Sequence, residues 1–163
     1  MIKYLIFDRG DTIIVDLPEK YGGMKDWPYY KAVDGVKETL PNLCKQYTCI
    51  MASNTAVSST QVIHSALKKL QIDTCFKYVF TQNELGFAKP DSKFFASLLN
   101  ATNISSFETC MIGNSYSLDI TPAKKFGLKT ILLTSKRGEF SCADCVTNNF
   151  KDIPKLLAKL NNS

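Results

Sequence analysis

The chain has 163 residues and a formal net charge of +5, from 20 lysine and arginine and 15 aspartate and glutamate residues. Hydrophobic residues make up 45% and charged residues 21% of it, a composition typical of globular rather than fibrous or disordered proteins. The basic residues form no block or stripe, and no apolar stretch approaches about 18 residues, so the sequence predicts neither a nucleic-acid-binding protein nor a membrane span.

Short apolar runs and helical periodicity alternate along the chain without an internal repeat. Strands are predicted over residues 2–7, 47–52, 77–80, 109–112, 128–133 and 144–146. Helices are predicted over 36–46 (disturbed or restarted at Pro41), near 62–70, from Asp91 through 99, up to Phe126, and over 153–160 after a cap at Asp152. This alternation predicts an α/β fold, a three-layer sandwich with a mostly parallel central sheet covered by helices on both faces.

Polar side chains follow several of the predicted strands. Asp8 comes after the first strand, Ser53 and Asn54 after the second, and Asn114 after the fourth. Lys89 lies in a loop before a helix, from which it can reach the same edge of the sheet. Ligands of parallel α/β sheets bind outside the carboxyl ends of the strands, so the sequence predicts a binding or catalytic site there.

The residue types at these positions suit phosphoryl transfer. The Asp8 carboxylate can attack phosphorus and form an aspartyl-phosphate, and it can also bind a metal. Mg²⁺ and Lys89 would offset the repulsion between two anions. Ser53 can donate a hydrogen bond to a phosphoryl oxygen, Asn114 offers an amide oxygen to a metal, and Asp119 can orient a water molecule or Lys89.

These residues stand in four segments whose order and spacing resemble the haloacid dehalogenase-like (HAD) hydrolase superfamily. The segments are Phe7 to Ile13, Ser53-Asn54, Lys89-Pro90-Asp91, and Gly113-Asn114-Ser115 with Asp119. The resemblance implies a Rossmann-like core and a Mg²⁺-dependent phosphatase. It assigns catalysis to Asp8, Ser53 and Lys89, substrate binding to Ser53, Asn54 and Lys89, and metal binding to Asp8, the Gly10 carbonyl, Asn114 and Asp119.

Two positions depart from the family pattern. Gly10 stands where the family usually has a second aspartate that acts as general acid and base, and Asp11 stands where it usually has glycine. Asn114 replaces a metal-binding aspartate, which should weaken Mg²⁺ binding. Unless Asp11 supplies the acid, we expect aryl and acyl phosphates to react far better than alkyl phosphates. A non-catalytic protein that binds a phosphorylated ligand or partner is the alternative.

The spacing leaves little room for a cap over the site. Between Thr12 and Ser53 only a flap of about residues 15–30 remains beside one strand and one helix. We therefore expect one domain over residues 1–163, without a cap domain and with an open site. Such a site suits a phosphorylated small molecule or macromolecule, or a lid from a second copy of the chain in a homo-oligomer. The flap aromatics, such as Trp27, either contact a ligand or pack on the core.

The six cysteines do not predict a disulfide framework, because no secretory signal precedes them. A reduced cytoplasmic protein is the expectation, with Cys49 and Cys110 packed inside strands. Cys142 and Cys145 have the spacing of a metal or redox pair, yet no second pair exists to complete a zinc site, so packing is favoured. His64 is predicted on the polar face of a helix.

Overall fold

A parallel six-stranded sheet forms the centre of a computed structural model that describes residues 1–162. The strands are β1 (Tyr4–Phe7), β2 (Thr48–Ser53), β3 (Phe76–Thr81), β4 (Thr109–Gly113), β5 (Lys129–Leu133) and β6 (Cys145–Thr147). They lie in the order β3-β2-β1-β4-β5-β6, and every neighbouring pair is parallel. This is the strand order of the doubly wound Rossmann fold.

Helices cover both faces of the sheet. They are α1 (Val36–Gln46), α2 (Thr60–Lys69), α3 (Gln82–Leu85), α4 (Ser92–Thr102), α5 (Thr121–Lys125) and α6 (Ile153–Asn161). The buried hydrophobic core residues of α1, α2 and α6 belong to one cluster, and those of α4 and α5 belong to a second. The predicted three-layer α/β fold with a parallel central sheet is therefore confirmed.

The middle strand β1 is buried on both faces, which explains its continuous apolar sequence. Ile6 and Phe7 are both fully buried but belong to opposite core clusters, as the alternation of side chains along a strand requires. Phe7 pairs with Met51 of β2 and with Ile112 of β4. This register places Asp8, the next residue, between the ends of the two neighbouring strands.

Two predicted helix features differ in the structure. Helix α1 runs through Pro41 without a break, so the predicted restart is wrong. A proline inside a helix loses one hydrogen bond and crowds the preceding turn, but the buried Leu40 and Leu43 hold this helix against the core. Asp152 stands at the N-cap position of α6, as predicted, but its side chain does not cap the helix, because its carboxylate accepts from the Thr147 hydroxyl at 2.7 Å instead.

The helix predicted after β4 is divided into two parts. A π-helical turn over Tyr116–Ile120 precedes α5. Pro122 has no N–H to donate to the carbonyl of Leu118, which favours a wider turn at this point. Such turns are frequent at functional sites, and this one begins directly beside Asn114.

The segment predicted as a flap contains two short 3₁₀ turns, Glu19–Tyr21 and Met24–Asp26. Met24 is buried, and its backbone N–H donates to the Ser58 hydroxyl at 3.3 Å. Trp27 packs against the core, whereas Tyr29 is 57% exposed. Within residues 1–162, the chain has no cap domain.

All six cysteines are free thiols. Cys49 and Cys110 are buried in β2 and β4, as predicted, and Cys145 is buried in β6. His64 is exposed on α2. In the part of the chain that the structure describes, no helix has the length and hydropathy needed to cross a membrane.

Candidate active site

The carboxyl ends of β2, β1 and β4 meet at one edge of the sheet, where the strand order changes direction. They surround a cavity of about 510 Å³. Cavities of about 500 and 540 Å³ occur elsewhere, so its charged groups, rather than its size, distinguish it. Seven of the eight predicted site residues line it, namely Asp8, Gly10, Ser53, Asn54, Lys89, Asn114 and Asp119.

The ammonium group of Lys89 joins two carboxylates in this cavity. Its Nζ donates to Asp8 Oδ1 and to Asp119 Oδ1, at 2.7 Å each, and to the Ala52 carbonyl at 3.1 Å. These bonds use all three of its donors. The side chains of Lys89 and Asp119 are each 1% exposed, whereas that of Asp8 is 15% exposed. Asp8 is therefore the more accessible carboxylate of the two.

Burial and ion pairing act in opposite directions on these groups. Burial disfavours the charged form of Lys89, but Asp8 and Asp119 outweigh this effect and raise the pKa of Lys89 above its usual value. Burial raises the pKa of Asp119, which Lys89 counteracts and Asp8 reinforces. Lys89 is therefore a cation at neutral pH and offsets one of the two carboxylate charges.

Asn54 fixes the backbone of Lys89. Its amide nitrogen donates to the Lys89 carbonyl at 2.7 Å, and its amide oxygen accepts from the Lys89 N–H at 2.8 Å. Ser53 is 3% exposed, and its Oγ accepts from Arg9 Nε at 3.3 Å and from the Thr55 N–H at 3.4 Å. Because both bonds use Ser53 as an acceptor, its hydroxyl proton is left to donate to a ligand.

The π-helical turn after β4 aims Asp119 at Lys89. The second oxygen of Asp119, Oδ2, accepts from the Ser115 N–H at 3.0 Å. A Cβ on Gly113 would lie 2.4 Å from this oxygen, so only glycine permits so close an approach at the end of β4. The turn and the glycine together fix the buried carboxylate.

Asp11 is the predicted site residue that the structure does not bring to this cavity. Its φ of 51° places it in the left-handed region, which aspartate adopts more readily than most residues. Its Oδ1 accepts from the Asp16 N–H at 2.9 Å, and the residue lines the neighbouring cavity of about 540 Å³. Asp11 therefore holds the backbone of the loop after β1.

Sequence reasoning missed two charged residues of the cavity, Arg9 and Asp16. Arg9 Nη1 lies 2.7 Å from Asp16 Oδ1, and the guanidinium stacks over Trp27 at 5.7 Å from the ring centroid. Burial raises the pKa of Asp16, which Arg9 opposes. Arg9 could have been found as the neighbour of Asp8. Asp16 had no such signal, because only the left-handed turn at Asp11 brings it back.

Several oxygen atoms around Asp8 are available to a cation. Gly10 is buried, and its carbonyl accepts no hydrogen bond from residues 1–162. The Asn114 side chain likewise has no hydrogen-bond partner in this range. The described residues contain no group of three or more histidine, cysteine, aspartate or glutamate side chains that could hold a metal. Any cation here would therefore depend partly on neutral oxygen atoms.

One family model and several curated proteins match parts of this chain. The family model of haloacid dehalogenase-like hydrolases matches residues 3–133. The glyceraldehyde 3-phosphate phosphatase of Pyrococcus furiosus is 29% identical over 139 residues, which cover 81% of this chain and 55% of that protein. The chain thus spans about half the length of the curated relatives it matches.

Solved structures resemble the whole fold. A protein of Listeria monocytogenes serotype 4b superposes with a TM-score of 0.84 at 27% identity, over 99% of this chain and 100% of that one. YfnB from Bacillus subtilis, in a structure bound to magnesium, gives a TM-score of 0.77 at 16% identity, over 96% and 98%. At this identity the second likeness concerns the fold alone.

Proposed function

The chain belongs to the haloacid dehalogenase-like hydrolase family, and on this premise we propose that it is a Mg²⁺-dependent phosphatase that forms an aspartyl-phosphate on Asp8. The observation that carries the proposal is the buried ammonium group of Lys89, which lies 2.7 Å from both Asp8 and Asp119. A cation fixed beside an accessible carboxylate suits a reaction in which that carboxylate attacks an anion.

Each residue of the cavity receives a role from its contacts. The Asp8 carboxylate attacks phosphorus, and the Lys89 charge offsets the repulsion between the two anions. The Ser53 hydroxyl donates to a phosphoryl oxygen. Asn54 binds both the N–H and the carbonyl of Lys89, which makes it a positioning residue. Asp119 accepts a hydrogen bond from the ammonium group and holds it beside Asp8.

The donor set around Asp8 fits Mg²⁺. Asp8, the Gly10 carbonyl and Asn114 offer only oxygen atoms, and Mg²⁺ is commonly held by one or two carboxylates together with water and substrate phosphate. The buried Gly10 carbonyl without a hydrogen-bond partner supports this assignment. When bound, Mg²⁺ would offset charge on the phosphoryl group.

The substrate we propose is a phosphate monoester. The curated relative from Pyrococcus furiosus acts, by its name, on a small phosphorylated aldehyde, so small phosphorylated metabolites are the first compounds to test. The absence of a cap over residues 1–162 also leaves room for phosphorylated macromolecules.

The first prediction is tested by a screen of phosphate esters with and without Mg²⁺. We expect turnover that needs the metal and disappears in Asp8→Asn, which keeps the size of the side chain but not its charge. Asn114→Asp should lower the Mg²⁺ concentration needed for half-maximal rate, because it adds a charged oxygen ligand. Asp26→Asn, an exposed position outside the cavity, serves as the matched control.

Two outcomes would contradict the proposal. Turnover that persists in Asp8→Asn would exclude Asp8 as the nucleophile. No turnover of any ester, combined with binding of phosphate or phosphoesters by the natural protein, would favour the alternative of a non-catalytic protein that binds phosphorylated ligands.

A further inference from the structure

The loop after β1 brings a second accessible carboxylate to the cavity, and we propose that Asp16 serves as the general acid and base of the reaction. This inference rests on the proposed phosphatase function. The family usually has its acid–base aspartate at the position of Gly10. The proposal assigns the proton transfers instead to Asp16, six positions further along the chain.

Space at Gly10 is the observation that carries this proposal. A Cβ built on Gly10 would lie 2.1 Å from Asp16 Oδ2 and 2.8 Å from its Cγ. The Asp16 carboxylate therefore occupies the volume that a side chain of residue 10 would fill. Glycine at position 10 is the residue that leaves room for a carboxylate arriving from elsewhere in the loop.

The backbone of residues 9–16 folds back to make this approach possible. The left-handed conformation of Asp11 reverses the chain, and the Ile14 N–H donates to the Arg9 carbonyl at 2.9 Å. The Asp11 carboxylate then accepts from the Asp16 N–H at 2.9 Å. Asp11, predicted as a possible acid, is in this arrangement the positioning residue for Asp16.

Arg9 orients the Asp16 carboxylate through one of its two oxygen atoms. Arg9 Nη1 donates to Oδ1 at 2.7 Å, while Oδ2, the oxygen closest to the missing side chain of Gly10, has no hydrogen-bond partner among residues 1–162. Contacts with Ser53 and Trp27 in turn hold Arg9 in place. One oxygen is thus fixed, and the other is left for the reaction.

The proposed reaction has two steps. In the first, the bond between Asp8 and phosphorus forms, the bond from phosphorus to the leaving oxygen breaks, and Asp16 gives its proton to that oxygen. In the second, Asp16 takes a proton from a water molecule whose oxygen attacks phosphorus, and the bond between Asp8 and phosphorus breaks. The products are an alcohol and inorganic phosphate, and Asp16 is protonated again.

A purely structural role is the competing explanation, since Asp16 also accepts a hydrogen bond from Arg9. The two roles differ in how they depend on the leaving group. A general acid matters most for a basic alkoxide and least for a stabilised phenolate, whereas loss of an ion pair would affect both esters alike.

The second prediction compares Asp16→Asn with the natural protein over esters of rising leaving-group pKa, in the presence of Mg²⁺. We expect the natural protein to hydrolyse alkyl phosphates, contrary to the preference predicted from Gly10 alone. In Asp16→Asn, kcat/KM, which reports the steps up to formation of the phosphoenzyme, should fall by about 10² to 10⁴-fold for alkyl phosphates and by much less for p-nitrophenyl phosphate. Acid-quenched phosphoenzyme should accumulate with the aryl ester, because it still forms rapidly while the water that hydrolyses it lacks its base.

Relocating the carboxylate separates catalysis from folding. Gly10→Asp combined with Asp16→Gly returns the acid to position 10 and makes room for it, so it should recover alkyl turnover relative to Asp16→Gly alone. Equal losses on both esters without accumulated phosphoenzyme, or no loss, would overturn the assignment to Asp16 and leave the phosphatase function standing. No turnover of any ester by the natural protein would overturn both.

Discussion

Lysine suits position 89 because three oxygen atoms converge there on a single point. The ammonium group carries its three donors on one nitrogen, which matches Asp8, Asp119 and the Ala52 carbonyl. The planar guanidinium of an arginine spreads its donors over a longer fork and needs more space. The surroundings of position 89 do not offer that space, because the Lys89 side chain is only 1% exposed. The charge of Lys89 therefore supports both the stability of the site and its proposed reactivity.

The third prediction is that Lys89→Met destabilises the protein by about 3–5 kcal/mol at pH 7, because it leaves the Asp119 charge buried without a partner. Urea unfolding followed by circular dichroism measures this loss. The double variant Lys89→Met with Asp119→Asn should recover part of it, since it removes the unpaired charge.

Lys93→Met provides the matched control, because Lys93 is an exposed lysine of α4. Its effect should stay within about 0.5 kcal/mol. A Lys89→Met protein as stable as this control would show that the buried ion pairs do not contribute to folding.

At the residue scale, the sequence predicted those site residues that depend only on strand ends. Asp8 and Ser53 were predictable because each stands at the end of an apolar run, and parallel strands end at a common edge. Asp16 was not, because its position depends on a backbone reversal at Asp11. No periodicity reveals such a reversal, and glycine would have been the expected residue for it.

At the scale of elements, the edge strand β6 depends on a carboxylate from outside it. Asp144, just before β6, accepts from the Thr130 N–H of β5 at 2.9 Å and from the Thr130 hydroxyl at 3.0 Å. It also pairs with Lys124 of α5. The Asp144 side chain thereby ties the start of β6 to β5 and α5. These contacts compensate for the few backbone hydrogen bonds that a three-residue strand can make with β5.

The fourth prediction concerns the acid stability that this carboxylate provides. Burial opposes ionisation of Asp144, but hydrogen bonds from Lys124 and Thr130 outweigh burial and lower the pKa of Asp144 below 3.8. A lowered folded-state pKa stabilises the fold above pH 3.8, and this contribution disappears as the pH falls through the folded-state value.

Asp144→Asn should therefore lower the free energy of unfolding at pH 7 by about 1–2 kcal/mol. The difference from the natural protein should narrow as the pH falls below 3.8. Glu108→Gln, which removes the partner of the exposed Lys3, should change stability much less. A difference for Asp144→Asn that stays constant with pH would contradict the role of its charge.

The elements themselves were largely predictable, and the exceptions have local causes. The alternation of apolar runs with helical periodicity predicted all six strands. The π-helical turn at Tyr116–Ile120 was not predicted. It directs the Asp119 carboxylate to Lys89, and this contact joins residues 30 positions apart, so no local pattern indicates it. Pro41 was given too much weight, because the burial of α1 outweighs one missing hydrogen bond.

At the scale of the whole molecule, the sequence predicted a parallel sheet but not its strand order. Whether a crossover places a strand on one side of β1 or the other depends on the handedness of connections and on the packing of whole helices. In the observed order, β2 lies between β1 and β3, and β4 lies on the other side of β1. The position of the cavity follows from that order.

The fifth prediction uses the six cysteines as probes of the whole fold. Cys44 and Cys142 are half-buried, and the other four are buried. Burial raises the pKa of Cys49 and of Cys110, and raises the pKa of Cys75 to about 12. A thiol reagent at pH 8 should therefore label only the two half-buried cysteines rapidly in the native protein, and all six in urea.

The variants Cys44→Ser and Cys142→Ser should each remove one rapidly reacting thiol. Rapid labelling of Cys49 or Cys110 in the native protein would contradict the closed packing of β2 and β4. Elemental analysis of the same native sample should find no stoichiometric zinc, in keeping with a packing role for Cys145.

The central place of β1 in the sheet also sets the order in which the protein can assemble during synthesis. Tyr4 pairs with Thr48 on one side, but its partner on the other side, Thr109, leaves the ribosome about a hundred residues later than Tyr4 itself. Until then a nascent chain carries β1 with one edge unpaired and apolar, the type of surface that chaperones bind and that promotes aggregation. The proposed nucleophile, at the end of that strand, acquires its complete surroundings only when β4 docks.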